Sequence, residues 1–258
     1  MSFPFNTVGL IKNLSNSCEF QSALHVMKLS ILDWAAVGIK GINEPVCDAV
    51  SKMISEESGI PESFVFGSKI GVPARSASLI NGVISHALDY DDTNFLYLGH
   101  PSVVVNSAVF AVANKIDLSL SSAIECSLFG CEMASRMGVW LGADHYNKGF
   151  HITATSGIFG AVVGSCKVLN LSNDVIQNAL NLAASKASGL KVQFGTMCKP
   201  YHAGMASSSG VEVTILASHG LNSCQNAFDG EHGFGAIYGR SKICSEKNLD
   251  DEEFLFTK

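Results

Sequence analysis

Apolar residues recur at helical spacing in one segment of this chain after another, and this pattern constrains the fold most. In the first segment Leu24, Met27, Ile31 and Trp34 lie three or four residues apart, until glycines at 38 and 41 stop the pattern. Further helices are predicted at 77–89, 103–115, 123–137, 155–169, 174–188 and 206–220. The alternation that is typical of a strand is scarce, so the sequence predicts an all-α fold.

Two local patterns refine this prediction. Ser122 and Glu125 match a capping box, in which the hydroxyl and the carboxylate satisfy free N–H groups at the start of a helix. Glu132 and Arg136 are then expected to form an ion pair one turn apart. Glycines are frequent inside the predicted helix at 155–169, and each costs about 1 kcal/mol relative to alanine unless packing requires it. We therefore expect close helix crossings there.

Composition narrows the class of ligand and the cellular setting. The net charge is −6 with no basic block, which gives no electrostatic footprint for nucleic acid or an anionic membrane and favours a small-molecule ligand. Eight cysteines are scattered without a CxxC pair, mostly among apolar neighbours, and are interpreted as reduced core thiols. The first residues lack the pattern of a signal peptide, so a cytoplasmic protein is predicted. The apolar tract at 103–116 is too short to span a bilayer.

The polar stretch SHALDYDDTNFLYLGHPS, residues 85–102, is the first candidate for chemistry. If the preceding helix persists through the aspartates, Asp89 and Thr93 share one face of it. His86 and Asp89 could then begin a metal site with Asp92 as a further ligand, although this spacing fits no standard site. The alternative is that Asp91, Asp92 and Thr93 only end the helix and solvate a turn.

Three predicted helix starts carry a basic side chain. His100 precedes Pro101, which can occupy the first turn of the next helix, and His151 precedes several Ser/Thr caps in GFHITATSG. Lys199 repeats the arrangement in CKPYHAG. Free N–H groups and the helix dipole favour anions at such positions, so a polycarboxylate is the expected ligand.

Other motifs of catalysis are weak or missing in the sequence. The segment EHGFGAIYG has the spacing GxGxxxG rather than GxGxxG and follows no predicted strand, so it is interpreted as a turn. The chain has no GxSxG, HExxH or Walker A motif and no Cys-His context typical of a nucleophile.

The motifs HALDYDDT, GHPS, GFHITATSGIFGA and KPYHAG, in this order, resemble the 2-methylcitrate dehydratase (MmgE/PrpD) family. The resemblance extends over nearly the whole chain. It implies a large helical domain, a smaller α+β lid and usually a homodimer, with catalysis that needs no metal and no cofactor. The activities of the family include 2-methylcitrate dehydration, cis-aconitate decarboxylation and iminodisuccinate epimerisation.

The resemblance also assigns roles to residues that match its motifs. The implied catalytic residues are Asp89, Thr93, His100, His151 and Lys199. Tyr201 and His202 belong to the KPYH motif and are predicted to bind substrate. The chemistry would be that of a lyase acting on a small di- or tricarboxylate, in which a histidine exchanges a proton and Lys199 neutralises a carboxylate.

Family members are considerably longer than this chain, so the sequence predicts a helical domain at 1–245 and an acidic tail, or the start of a missing lid, at 246–258. The lid is expected to be absent, which makes two alternatives to a lyase worth keeping. One is an epimerase of the same family, and the other is a truncated, inactive remnant that binds carboxylates.

Overall fold

The computed structural model describes residues 7–239 and 253–258. Its helices, in chain order, are α1 (Thr7–Ser15), α2 (Phe20–Gly41), α3 (Pro45–Glu57), α4 (Ala74–His86), α5 (Pro101–Lys115), α6 (Leu120–Asn147), α7 (Ile152–Val168), α8 (Asn173–Ala184), α9 (Cys198–Ser218) and α10 (Phe234–Tyr238). A 3-10 turn, Lys191–Gln193, precedes α9. Within the described ranges the only β-type pairing is in isolated bridges, so the all-α prediction is confirmed.

Helix α7 forms the centre of the fold. All of its residues except Lys167 are buried, as expected for a helix that is apolar on every side. It packs against α5, α6, α8 and α9. Because α7 begins beside His151 and α5 begins beside His100, the same packing that buries the core brings these two helix starts into one region.

Close helix crossings are confirmed where the glycines predicted them. A Cβ at Gly160 would lie 2.5 Å from the carbonyl oxygen of Gly130 on α6, and one at Gly164 would lie 2.5 Å from Val109 on α5. A second crossing joins α4 and α9, where a Cβ at Gly82 would meet the Cα of Gly204 at 2.7 Å. This second crossing sets the end of α4 beside the start of α9.

The boundaries of several helices differ from the sequence predictions. Helix α8 ends at Ala184 rather than at 188, and α9 begins at Cys198 rather than at 206. Helix α4 ends at His86 instead of continuing to Asp89, since Asp89 has a left-handed backbone with φ of 56°. Helix α6 is longer than predicted and is kinked at Gly142, where φ is 71°. The capping-box prediction was wrong by three residues, because Ser119 caps α6 and accepts a hydrogen bond from the backbone N–H of Ser122.

Three helices were not predicted from the sequence. They are α1, α3 and α10, and α10 lies in the EHGFGAIYG segment that was interpreted as a turn. Helix α10 is only five residues long, and its Phe234 is buried against Trp140 and Phe159. Aromatic packing therefore holds a helix there that the local pattern alone does not specify.

The last described residues lie inside the fold. Phe254 and Phe256 are buried in the main core. Their backbone N–H groups, with that of Leu255, donate to carboxylates of Glu19 and Glu132. The sequence predicted an acidic tail, or the start of a missing lid, at 246–258. A surface tail is wrong for Phe254 and Phe256, which are buried, whereas the start of a lid stays a prediction. Residues 246–252 lie outside the described residues.

The ion pair predicted on α6 is confirmed, in a different environment. Arg136 Nε lies 2.7 Å from Glu132 Oε1, and both side chains are 1% exposed. Instead of supporting an exposed helix surface, the pair binds the backbone at 253–256.

Helix α2 is long and apolar enough to cross a membrane, by length and composition alone. A core helix passes the same test, and Met27 and Trp34 of α2 are buried in the core. The cysteines agree in part with the sequence interpretation. All seven described cysteines are free; Cys47, Cys126, Cys131 and Cys166 are buried, and Cys244 lies outside the described residues.

Candidate active site

The ends of four helices meet at one cluster of ionisable side chains. Helix α4 ends at His86, α5 begins after His100, α7 begins after His151, and α9 carries Lys199 and His202 in its first two turns. The loop 87–100 connects α4 to α5 and adds Asp89 and Asp91. The prediction that three basic side chains stand at helix starts is therefore confirmed.

Asp91 is the buried centre of what we call the aspartate side: His86, Asp89, Asp91 and His100. Nδ1 of His86 lies 2.9 Å from each carboxylate oxygen of Asp91, and both side chains are fully buried. Nδ1 of His100 lies 3.1 Å from the Asp91 carbonyl oxygen and 3.3 Å from its Oδ2. One carboxylate thus serves two imidazoles.

These contacts shift the pKa values of Asp91 and His100 in opposite directions. Burial alone would raise the pKa of Asp91, but the charges and hydrogen bonds of His86 and His100 outweigh it and hold that pKa well below its usual range. Burial alone would lower the pKa of His100, but the hydrogen bonds and charge of Asp91 raise it above the ordinary value. His100 therefore keeps its proton to higher pH than a free histidine.

Asp89, the most exposed member of the aspartate side, pairs with Lys199 of α9, and we call these two residues the rim. Lys199 Nζ donates to Asp89 Oδ1, and Nε2 of His100 lies 3.4 Å from the same oxygen. Burial would raise the pKa of Asp89, but the hydrogen bond and charge of Lys199 lower it overall. The Asp89 side chain is 54% exposed, whereas those of Lys199 and His100 are 14% exposed, so a ligand can reach this rim.

The opposite part of the cluster, which we call the imidazole side, consists of His151, His202 and Cys198. Nδ1 of His151 lies 3.2 Å from Nδ1 of His202, and Nε2 of His202 lies 3.4 Å from Cys198 Sγ. Burial, followed by the charges of His86, His202, Lys199 and His100, lowers the pKa of His151 to about 2. Burial and the charge of His86 also lower the pKa of His202.

The two sides meet through ring contacts. The rings of His86 and His151 stack with centroids 6.0 Å apart, and the rings of His86 and His100 meet edge to face at 4.8 Å. Phe194 contacts His151 edge to face at 4.9 Å, and Lys199 Nζ lies 5.2 Å from the centroid of the Phe194 ring. His100, whose pKa is raised, and His151, whose pKa is lowered, thus border the same cluster, together with one ammonium group.

Thr93 and Tyr201 are predicted site residues that the structure does not bring into this cluster. The proposed shared helix face of Asp89 and Thr93 was wrong, because α4 ends at His86 and Thr93 is exposed on the loop. Tyr201 is 38% exposed and lines a separate cavity of about 230 Å³ with Arg75, Lys186 and Glu212. His202, by contrast, lies in the cluster as predicted.

Of the two aspartates that the sequence could assign to a solvated turn, Asp91 is buried and Asp92 is partly buried. Asp92 accepts hydrogen bonds of 2.5 Å from the hydroxyls of Ser30 on α2 and Ser102 on α5. Burial raises the pKa of Asp92, against the lowering effect of the two hydroxyls. Its backbone N–H donates to Asp33. Asp92 therefore ties the loop to two helices.

A divalent metal site was an alternative for this region. His86, Asp89, Asp91 and His100 do offer atoms within 4.8 Å of one another, but Asp92 is not in this group, so the set His86, Asp89 and Asp92 was wrong. In the observed group Lys199 places its ammonium on Asp89, and both imidazoles direct Nδ1 at Asp91. The ammonium of Lys199 thus already neutralises one of the two acids in this group.

The sequence analysis missed the part that His86 and Asp91 play as partners. The five-residue spacing between them closes only because α4 stops at His86, and the sequence predicted a longer helix. It also missed Phe194 and Cys198. Cys198 is the residue before the Lys199-Pro200 pair and lies one helical turn before His202, a spacing that could have indicated their contact.

The chain with this fold and this site can be assigned to a protein family. The model of the MmgE/PrpD N-terminal domain matches residues 11–246, and the chain belongs to this family. Among relatives, the chain is similar to cis-aconitate decarboxylase of Homo sapiens, with 28% identity over 89% of this chain and 51% of the relative. It is similar to the enzyme of the same name from Mus musculus, with 29% identity over 96% of this chain and 52% of the relative.

Cis-aconitate decarboxylase of Aspergillus terreus is 27% identical over 86% of this chain and 46% of its own length. The chain therefore spans about half the length of the curated relatives it matches.

Proposed function

We propose that this chain carries the proton-transfer site of a lyase that acts on a small di- or tricarboxylate, with cis-aconitate as the first candidate substrate. The observation that carries the proposal is the placement of two histidines of one cluster against different partners: His100 lies on the carboxylates of Asp89 and Asp91, and His151 lies against the imidazole of His202. These contacts and burial raise the pKa of His100 and lower that of His151 to about 2. Titratable groups whose pKa values are pushed apart mark the acid and the base of a catalytic site.

His100 is the proposed acid. Its raised pKa keeps a proton available near neutral pH, and its side chain is partly exposed, so solvent can replace a proton that it gives away. His151 is neutral, because its pKa is lowered to about 2, and can accept or donate a hydrogen bond. Lys199 is the proposed carboxylate partner, since it already binds the carboxylate of Asp89 and stands in the first turn of a long helix.

Decarboxylation of cis-aconitate would use these groups as follows. The bond to the departing carboxylate breaks, and its electron pair forms a new carbon–carbon double bond. The electrons of the former double bond take a proton from His100, and CO₂ leaves. Each turnover consumes one proton, which solvent returns to His100. Lys199 stabilises a remaining carboxylate, and electrostatic stabilisation of this kind is a major term in such reactions.

Three observations support this substrate class over other ligands: two relatives carry the name cis-aconitate decarboxylase, the cluster holds a lysine against a carboxylate, and helix starts converge there. Dehydration of 2-methylcitrate and epimerisation of a dicarboxylate need the same acid and base. Both reactions stay alternatives within the proposal. The homodimer and the cytoplasmic setting predicted from the sequence are also part of the proposal.

The test is an assay of the purified chain with cis-aconitate and with 2-methylcitrate in D₂O, followed by ¹³C and ¹H NMR. A decarboxylated product with deuterium at one carbon is expected. Loss of water without loss of CO₂ would instead assign a dehydratase, and inversion without loss of either would assign an epimerase. His100→Gln should lower turnover by about 10²-fold or more, whereas His25→Gln on the exposed face of α2 should leave it unchanged.

A second candidate function is carboxylate binding without turnover. The observation that favours it is the match to the N-terminal domain and to about half of each relative. Titration calorimetry with citrate decides between the two. Binding that Lys199→Met abolishes, in a protein that turns over none of the substrates, would establish the binding domain and refute the lyase.

A further inference from the structure

Residues 253–258, which we call the C-terminal segment, are held by side chains from three parts of the fold. Glu132 accepts from the N–H groups of Leu255 at 3.0 Å and Phe256 at 2.9 Å. Arg136 donates to the carbonyl of Glu253 at 2.6 Å. Phe254 is fully buried, with its ring 6.4 Å from that of Phe20. The position of this backbone is therefore fixed at almost every residue.

Asn94 connects this segment to the loop of the candidate site. Its Nδ2 donates to the carbonyls of Leu255 at 2.9 Å and Phe256 at 3.1 Å. Its Oδ1 accepts from the N–H of Tyr97 at 3.0 Å, and its own N–H donates to the Gly99 carbonyl at 3.0 Å. Asn94 is 5% exposed. One buried amide thus binds the C-terminal segment on one side and closes the turn 94–99 on the other.

The turn 94–99 ends one residue before His100 and is fixed on α7. Tyr97 is fully buried, and its hydroxyl donates to the Thr153 carbonyl at 3.1 Å. The hydroxyl of Thr153 accepts from the His100 N–H at 3.1 Å. A Cβ at Gly99 would lie 2.9 Å from that hydroxyl oxygen, so the turn passes close to α7 at a position where a larger residue would be too tight.

We propose that Asn94 is a positioning residue that couples the C-terminal segment to His100. The carbonyls of Leu255 and Phe256 orient the Asn94 amide, the amide holds the turn, and the turn directs the His100 ring onto Asp91. The inference rests on the proposed function only in assigning His100 a catalytic use; the coupling itself is a property of the fold.

The experiment is an NMR titration of His100, whose signal is assigned with His100→Gln. The groups that face His100 are Asp89 and Asp91 from its own loop, His86 from α4 and Lys199 from α9, with His151 of α7 also acting on the shared cluster. Asn94→Ala leaves all of these in the chain. If Asn94 positions the ring on Asp91, the raised pKa of His100 should fall toward the ordinary value of about 6.5.

Asn178→Ala is the matched control, because Asn178 Nδ2 also donates to a backbone carbonyl, that of Leu221, and ties two segments together at another place in the fold. It should leave the His100 titration unchanged. Phe256→Leu loosens the other end of the coupling while keeping Asn94, and it should move the His100 pKa in the same direction by a smaller amount. It also serves if Asn94→Ala does not fold.

An unchanged His100 titration in a folded Asn94→Ala or Phe256→Leu protein would overturn the proposal, even if the melting temperature falls, because Asn94 would then only stabilise the fold. Activity toward cis-aconitate is measured alongside. A shifted titration in a protein that has no activity with or without Asn94 keeps the coupling and removes the proposed lyase.

Discussion

The aspartate side and the imidazole side of the candidate site each contain a histidine, and the pKa values of these two histidines are shifted in opposite directions. His100 is partly buried and His151 is buried, and both lie at helix starts. Burial by itself would lower the pKa of each. The difference is the partner. His100 contacts Asp91 and Asp89, while the nearest ionisable partner of His151 is another imidazole. The position of two carboxylates therefore decides which of the two histidines has a raised pKa.

Asp91→Asn is expected to have the largest effect, because it removes the charge that distinguishes the two sides. His86 and His100 would lose their shared carboxylate, and the unfolding free energy should fall by about 3 kcal/mol, as for a broken buried pair. The pKa of His100 should fall with it. Urea denaturation and the NMR titration of His100 measure these changes.

The matched control for Asp91→Asn is Asp48→Asn, which removes an exposed carboxylate paired with Lys52. An exposed pair contributes about 0–1 kcal/mol. Equal effects of the two substitutions on stability and on the His100 titration would contradict the central place given to Asp91.

Lys199→Met should have the next largest effect and act on the rim alone. Asp89 would lose the ammonium that lowers its pKa, and the substrate would lose its cationic partner. We expect kcat/KM to fall by about 10²-fold, with a stability change of less than about 1 kcal/mol because the pair is partly exposed. Steady-state kinetics and denaturation test this.

Lys186→Met, which removes an ammonium bound to Glu212, is the control for the lysine substitution. Comparable losses of kcat/KM in both variants would show that Lys199 has no special place at the rim.

The dependence of stability on pH should separate the two histidines. In the unfolded chain each titrates near 6.5. For His151 the folded pKa is about 2, so below pH 6.5 the unfolded chain binds a proton that the folded chain does not, and stability falls by up to about 1.4 kcal/mol per pH unit. His151→Gln should remove this contribution and leave those of His145 and His202, whose pKa values burial also lowers.

For His100 the sign is reversed. Its raised pKa stabilises the folded chain below pH 6.5, and that contribution is lost as pH rises through the folded value. His100→Gln should therefore flatten the curve above pH 6.5 and leave the acidic slope. Urea denaturation between pH 4 and 9 measures both curves, and identical curves for the two variants would refute the assigned protonation states.

Cys198→Ser should have the smallest effect. The thiol is partly buried and a weak donor, 3.4 Å from His202. A hydroxyl can make the same contact. We therefore expect kcat to change by less than about twofold and the unfolding free energy by less than about 0.5 kcal/mol. A large loss of kcat at unchanged stability would mean that the imidazole side takes part in chemistry through this thiol.

Helical periodicity was enough to predict the architecture, because the apolar residues that define each helix recur within one short segment of the sequence. This holds for α2, α5, α7, α8 and α9. It did not reveal α10 or the buried position of Phe254 and Phe256, since both depend on packing partners distant in the sequence.

The basic residues at helix starts could likewise be predicted, because Pro101 and the Ser/Thr caps are local signals. The pairing of His86 with Asp91 could not, because it requires α4 to stop at His86, and the left-handed backbone of Asp89 that turns the chain has no strong sequence signature. The roles of Thr93 and Tyr201 remain predictions from the family resemblance.

The most direct test of the central claim is ¹⁵N NMR of the histidine side chains at pH 7, with His100 and His151 assigned by substitution to glutamine. The structure predicts that His100 loses its second ring proton at a higher pH than a free histidine, and that His151 has one protonated ring nitrogen at pH 7 and is still neutral at pH 5. Two histidines that titrate together near 6.5 would contradict it.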